Sequence, residues 1–101
     1  MSGVLKNGAR FALKLTRQGP EQVVYEASIE LPGGSGFSRQ VSVDIPSASS
    51  NSSSFSAFGE ATGSPAQWMV EFLETLTQQL IRSGLKSGRW PRKQRRWKDR
   101  P

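Results

Sequence analysis

The side chains best suited to intermolecular chemistry crowd the C-terminal end, in the run Arg89-Trp90-Pro91-Arg92-Lys93-Gln94-Arg95-Arg96-Trp97-Lys98-Asp99-Arg100. Each guanidinium there can make a bidentate contact to phosphate. Neutralising several phosphates releases counterions, which gives an affinity that falls steeply with salt. Trp90 and Trp97 add flat aromatic faces, and stacking a base on such a face contributes about 1 to 3 kcal/mol. Cations interleaved with indoles suit RNA or single-stranded DNA, whose bases are open to stacking. The candidate contact residues are Lys86, Arg89, Trp90, Arg92, Lys93, Arg95, Arg96, Trp97, Lys98 and Arg100. Arg10, Lys14 and Arg39 are candidates for secondary contacts from the outer face of a sheet. No helix-turn-helix pattern or zinc-finger spacing accompanies them, so sequence-specific duplex recognition is not indicated.

The same residues admit other readings. A basic terminus can be a solubilising or tethering extension, one tryptophan can fold back over the domain, and Arg with Trp also favours acidic protein surfaces and anionic lipid. Catalytic designs are few. The chain has no histidine and no cysteine, which removes the commonest general base, thiolate nucleophiles and tetrahedral zinc sites. Glu71 and Glu74 fall on the polar side of a helix, away from any apolar pocket that would raise a carboxyl pKa. The glycine-rich run Leu31-Pro32-Gly33-Gly34-Ser35-Gly36 lacks the Lys-Ser or Lys-Thr of a phosphate loop and opens no helix, so it reads as a hairpin turn. No metal and no cofactor are expected.

The elements that must carry these groups are those of one small domain, as 101 residues allow. Phe11, Leu13 and Leu15 alternate with Ala12, Lys14 and Thr16, the period of a half-buried strand. Val23, Tyr25, Ala27, Ile29 and Leu31 alternate in the same way, and Gly19-Pro20 breaks the chain between the two runs. Setting Phe11 against Ile29, Leu13 against Ala27 and Leu15 against Tyr25 aligns the apolar faces. It also opposes Lys14 to Glu26 and Arg10 to Glu30. Phe37, Val41, Val43 and Ile45 mark a third strand. The serine-rich stretch 47–54 has nothing to bury and reads as a flexible loop, and a fourth strand over 55–60 is open.

A helix follows. Ser64 as N-cap, Pro65 at the first helical position and Gln67 as capping-box partner predict its start at 64 or 65. Trp68, Met69, Phe72, Leu73, Leu76 and Leu80 fall on one stripe, with Val70 and Ile81 on its flank as added core or a dimer contact. Gly84 at C′ and Leu85 folded back on Leu80 predict the end.

Charge divides the chain sharply. Residues 82–101 hold nine Lys or Arg against one acid, a net +8, whereas residues 1–81 hold five basic and seven acidic side chains, a net −2. The expected architecture is therefore α+β: an antiparallel β-meander of three or four strands packed against one C-terminal α-helix, in a compact domain over 1–85. A basic, Trp-containing, flexible tail over 86–101 stays disordered until a partner arrives. This order of elements occurs in several nucleic-acid-binding folds, but no family motif accompanies it. The expected function is a non-enzymatic nucleic-acid-binding accessory protein, with tail-mediated, largely electrostatic contacts to RNA or single-stranded DNA. The alternative is a protein–protein interaction module, such as an adaptor, inhibitor or secretion-related factor. Lack of cysteine fits the cytoplasm, no segment is apolar enough to span a membrane, and oligomeric state is left open.

Overall fold

The computed structural model describes residues 8–100. Its elements in chain order are β1 (Ala9–Gln18), β2 (Gln22–Glu30), β3 (Gly36–Asp44), β4 (Ser49–Ser52), β5 (Ser56–Phe58), α1 (Gln67–Ser87) and β6 (Lys93–Lys98). All strand pairs are antiparallel, in the spatial order β4-β3-β2-β1-β6, with β5 also pairing β3. The class is α+β, with six strands rather than three or four.

The β1–β2 hairpin has the register that matching apolar faces demands, with Phe11 opposite Ile29, Leu13 opposite Ala27 and Leu15 opposite Tyr25. A bulge then falls between Leu15 and Arg17, where the Thr16 hydroxyl donates to the Val24 carbonyl at 3.1 Å. Residues facing α1 form the core: Phe11, Leu13, Val23, Tyr25, Ala27, Ile29, Val41 and Val43 meet Leu73, Leu76, Leu80 and Ile81. Ile81 is buried, so the helix flank extends the core on that side. Phe11 meets Phe72 edge-on at 4.7 Å between centroids.

Three departures from expectation have local causes. The serine-rich stretch is not a free loop: Ser49–Ser52 forms β4 on the outer edge of β3, pairing from Val41 with Ser52 to Asp44 with Ser49. Its side chains are all exposed. Backbone pairing holds it there, helped by serine hydroxyls: Ser49 Oγ lies 2.7 Å from Ser47 Oγ, and just past the strand Ser53 Oγ accepts from the Gln40 N–H at 2.9 Å. A tight turn in which the Asp44 carboxylate accepts from the Ser47 N–H at 3.1 Å leads into it. Such a strand has no apolar alternation to betray it. The helix starts later than its capping signals imply, because Ala66 is the N-cap and makes no side-chain cap bond. Gln67 donates forward to Glu71 at 3.1 Å instead of reaching back to Ser64. At the other end α1 runs past Gly84 to Ser87, and Gly88 in the left-handed conformation (φ 75°) is the C-cap, its N–H bonding Gly84 O at 2.8 Å.

The largest correction concerns 86–101, which is not a disordered tail. Trp90 packs against the core with its indole lying on Gly84, where any Cβ would collide with the ring. The Tyr25 hydroxyl donates to Pro91 O at 2.7 Å, and the Leu15 N–H donates to Arg92 O at 2.8 Å. From that clamp the chain continues as β6, pairing β1 from Lys14 with Lys93 to Ala9 with Lys98. Charge repulsion argued for disorder, but a strand sends alternate side chains to opposite faces. The neighbouring cations are thereby separated while the backbone gains a hydrogen-bonded ladder.

The clamp makes opposite predictions from a free tail for one substitution. In an exposed helical turn, Gly84→Ala would raise stability by about 1 kcal/mol through helix propensity. With Trp90 seated on Gly84, the added methyl overpacks the contact and lowers unfolding free energy by about 1 to 3 kcal/mol, measured by urea denaturation.

Candidate nucleic-acid interface

Strand periodicity sorts the cations. Lys93, Arg95 and Trp97 of β6 stand opposite Lys14, Ala12 and Arg10 of β1, on the sheet face that α1 leaves open. Gln94, Arg96 and Lys98 stand opposite Leu13, Phe11 and Ala9, on the helix side. There the Lys98 ammonium lies 5.3 Å from the centre of the Phe72 ring, and the Arg96 guanidinium donates to the Arg95 carbonyl at 2.8 Å. Lys86 sits in the last turn of α1. Arg89 and Arg92 lie on the connection to β6, and Arg100 lies just beyond it, all three exposed.

The structure separates the two C-terminal tryptophans. Trp90 is a packing residue, half-buried in the clamp. Trp97 remains 46% exposed, with its indole N–H donating to the Asp99 carboxylate at 2.8 Å. It joins Arg10, Glu30 and the Leu31–Gly34 turn around an open cleft of about 500 Å³. Arg10 and Glu30 face each other across the strands with 3.6 Å between Nη1 and Oε1, both about half-exposed. This is the one salt bridge among the described residues. The C-terminal cations have no acidic partner there, and Lys93 stands directly opposite Lys14, a like-charged juxtaposition that costs stability unless an anion relieves it.

Arg39 does not share this surface. It stands opposite Ala27 on the helix side, its guanidinium 4.5 Å from the centre of the Phe55 ring. Its Nε is buried without a hydrogen-bond partner. Burial lowers its pKa from the ordinary arginine value, with Glu74 opposing the shift. The alternation of Phe37, Val41 and Val43 already assigns position 39 to that face. Arg10 and Lys14, by contrast, are exposed on the open face. Phe58, absent from the expected set, is also exposed there, at 37%. The only signal for it in the sequence was an aromatic residue in a short strand after the serine run.

No group of three or more His, Cys, Asp or Glu that could hold a metal occurs among the described residues. No helix among them is long and apolar enough to cross a membrane. Compared with protein-family models, curated proteins and solved structures, the chain matches none.

Tyr25, the clamp hydroxyl beneath this surface, is the chain's one tyrosine, and burial pushes its pKa up to about 12. The folded value lies above the ordinary 10.0, so this contribution to stability is complete below pH 10 and is lost as pH rises through 12. Tyrosinate absorbance should therefore rise with a midpoint near 12 in the folded chain and near 10 in denaturant. Tyr25→Phe should remove that part of the pH dependence and cost about 1 kcal/mol at neutral pH through the lost bond to Pro91.

Proposed function

We propose that this chain is a non-enzymatic nucleic-acid-binding accessory protein, working in the cytoplasm, that grips RNA or single-stranded DNA mainly by electrostatics. The observation that carries the reading is an ordered strand, β6, whose cations lack acidic partners among the described residues. Lys93 and Arg95 share the open sheet face with Arg10, Lys14 and the exposed Trp97. Arg92 and Arg100 flank them. Fixed on a strand rather than a loose tail, these groups meet phosphates with less ordering cost on binding, and Trp97 offers a base a stacking surface.

A second reading rests on a different feature. β6 is an edge strand, and an acidic extended segment of another protein could add to it by main-chain pairing. Capture of a specific protein, insensitive to nuclease and lost when Arg95→Pro removes an N–H that faces away from β1, would favour that reading.

Deleting 86–101 would remove β6 and the clamp together, so charge substitutions that leave the backbone in place are the sharper probe. Fluorescence anisotropy with RNA, single-stranded DNA and duplex DNA at several salt concentrations should show binding whose logarithm falls linearly with log salt. For single strands the slope is about −0.7 per phosphate contacted. The triple variant Lys14→Gln, Lys93→Gln, Arg95→Gln should flatten it by about 2 while thermal unfolding stays cooperative. Unchanged affinity and slope would overturn the proposal.

A further inference from the structure

Across the strands, the open face carries an ordered row. Trp97 on β6 is opposite Arg10 on β1, Arg10 is opposite Glu30 on β2, Glu30 is opposite Gly36 on β3, and Gly36 is opposite Phe58 on β5. The two ends of this row are the two large hydrophobic residues that stay exposed, Trp97 and Phe58, and neither belongs to the core cluster. Phe58 lies over Gly36: a Cβ there would fall 2.9 Å from the ring's Cζ, so the missing side chain is what lets the ring rest on the sheet. Four interstrand spacings of about 4.8 Å put the ends of the row roughly 19 Å apart.

Two residues along each strand lies a second row of mostly small side chains, Ala12, Ser28, Ser38 and Ser56, with Arg95 at its β6 end. Two residues further lie Lys93, Lys14, Glu26 and Gln40. The small residues thus floor a transverse trough between two rows of longer side chains. Those rows are about 14 Å apart, four residues at roughly 3.4 Å each, a width suited to one nucleic-acid strand.

We infer that a single nucleic-acid strand crosses the sheet along this trough, stacking one base on Trp97 and another on Phe58, with its phosphates entering beside Lys93, Lys14 and Arg95. This inference rests on the nucleic-acid reading above and adds the path, the second aromatic platform and the requirement for unpaired bases. Arg10 and Glu30 stand between the platforms with their charges mutually matched, so the crossing strand meets little net repulsion there. Glu26 is the one acid in the trough wall that makes no ion pair among the described residues, and its carboxylate opposes the strand's phosphates.

The test uses the full chain and a labelled ten-nucleotide uridine-rich RNA, its single-stranded DNA counterpart and the corresponding duplex. With stacked nucleotides rising about 3.4 Å each, the decamer is long enough to reach both platforms. Trp97→Leu and Phe58→Leu are each expected to weaken single-strand binding by about 5- to 100-fold, the size of one base stack, with little change in salt slope. Phe58→Tyr, which keeps the ring, should hold wild-type affinity, and this distinguishes lost stacking from lost folding. Glu26→Gln should tighten binding, and duplex affinity should respond to neither aromatic substitution. If Phe58→Leu leaves affinity unchanged while Trp97→Leu and the triple charge variant weaken it, the strand follows β6 lengthwise; the transverse path is then wrong and the functional reading survives. Equal loss of duplex and single-strand binding in the aromatic variants would also overturn base stacking. Failure of the wild-type chain to bind any of the three probes would remove both.

Discussion

Seating the Trp90 indole on the bare backbone of Gly84 organises the segment that follows α1. That contact draws the chain back from the end of α1 across the core. The Tyr25 hydroxyl then fixes Pro91, and Arg92 begins the backbone ladder that becomes β6. Without it, a segment with this charge density would have little reason to order, because its remaining side chains bury almost nothing. One aromatic residue, one glycine and one buried phenol thus convert a polyelectrolyte into the edge strand of a sheet.

Ordering the charge changes what it can do. A disordered basic tail attracts any polyanion and must lose conformational freedom to hold it, whereas β6 presents its cations in two fixed rows, one on each side of the sheet. The helix-side row is partly occupied: Lys98 rests over Phe72, and Arg96 bonds the neighbouring backbone. The open-face row has no such contacts among the described residues, and Lys93 there stands opposite Lys14, a repulsion that an anion would relieve. The same charges also discourage β6 from pairing with a second copy of itself, since lysine and arginine on an edge strand are a common defence against edge-to-edge association.

The two faces of the sheet divide the labour. One is sealed by α1 and carries the stability of the domain, including the aromatic contacts of Phe11 with Phe72 and Trp68. The other carries almost no large apolar group except Trp97 and Phe58, so these two stand out chemically against a polar surface. Arg39 illustrates the division: as a cation in the sequence it resembles Arg10, yet one step of strand parity places it under Phe55 and away from any ligand on the open face.

Periodicity and turn chemistry determined the α+β class, the β1–β2 register down to its paired residues and the apolar stripe of α1, and residue counts alone placed the positive charge at the C-terminal end. These are local or nearest-neighbour properties, set by alternation, helical spacing and turn chemistry, and they survive without knowledge of what lies across the core. Strand β4 escaped because a chain of serines can pair through its backbone with no side-chain signature. The fate of 86–101 escaped for a longer-range reason. Whether Trp90 is a ligand platform or a structural anchor depends on Gly84 and Tyr25, which reach it only when helix and sheet have assembled. The row from Trp97 to Phe58 likewise joins residues 39 positions apart in sequence, through three intervening strands whose order only the tertiary fold supplies.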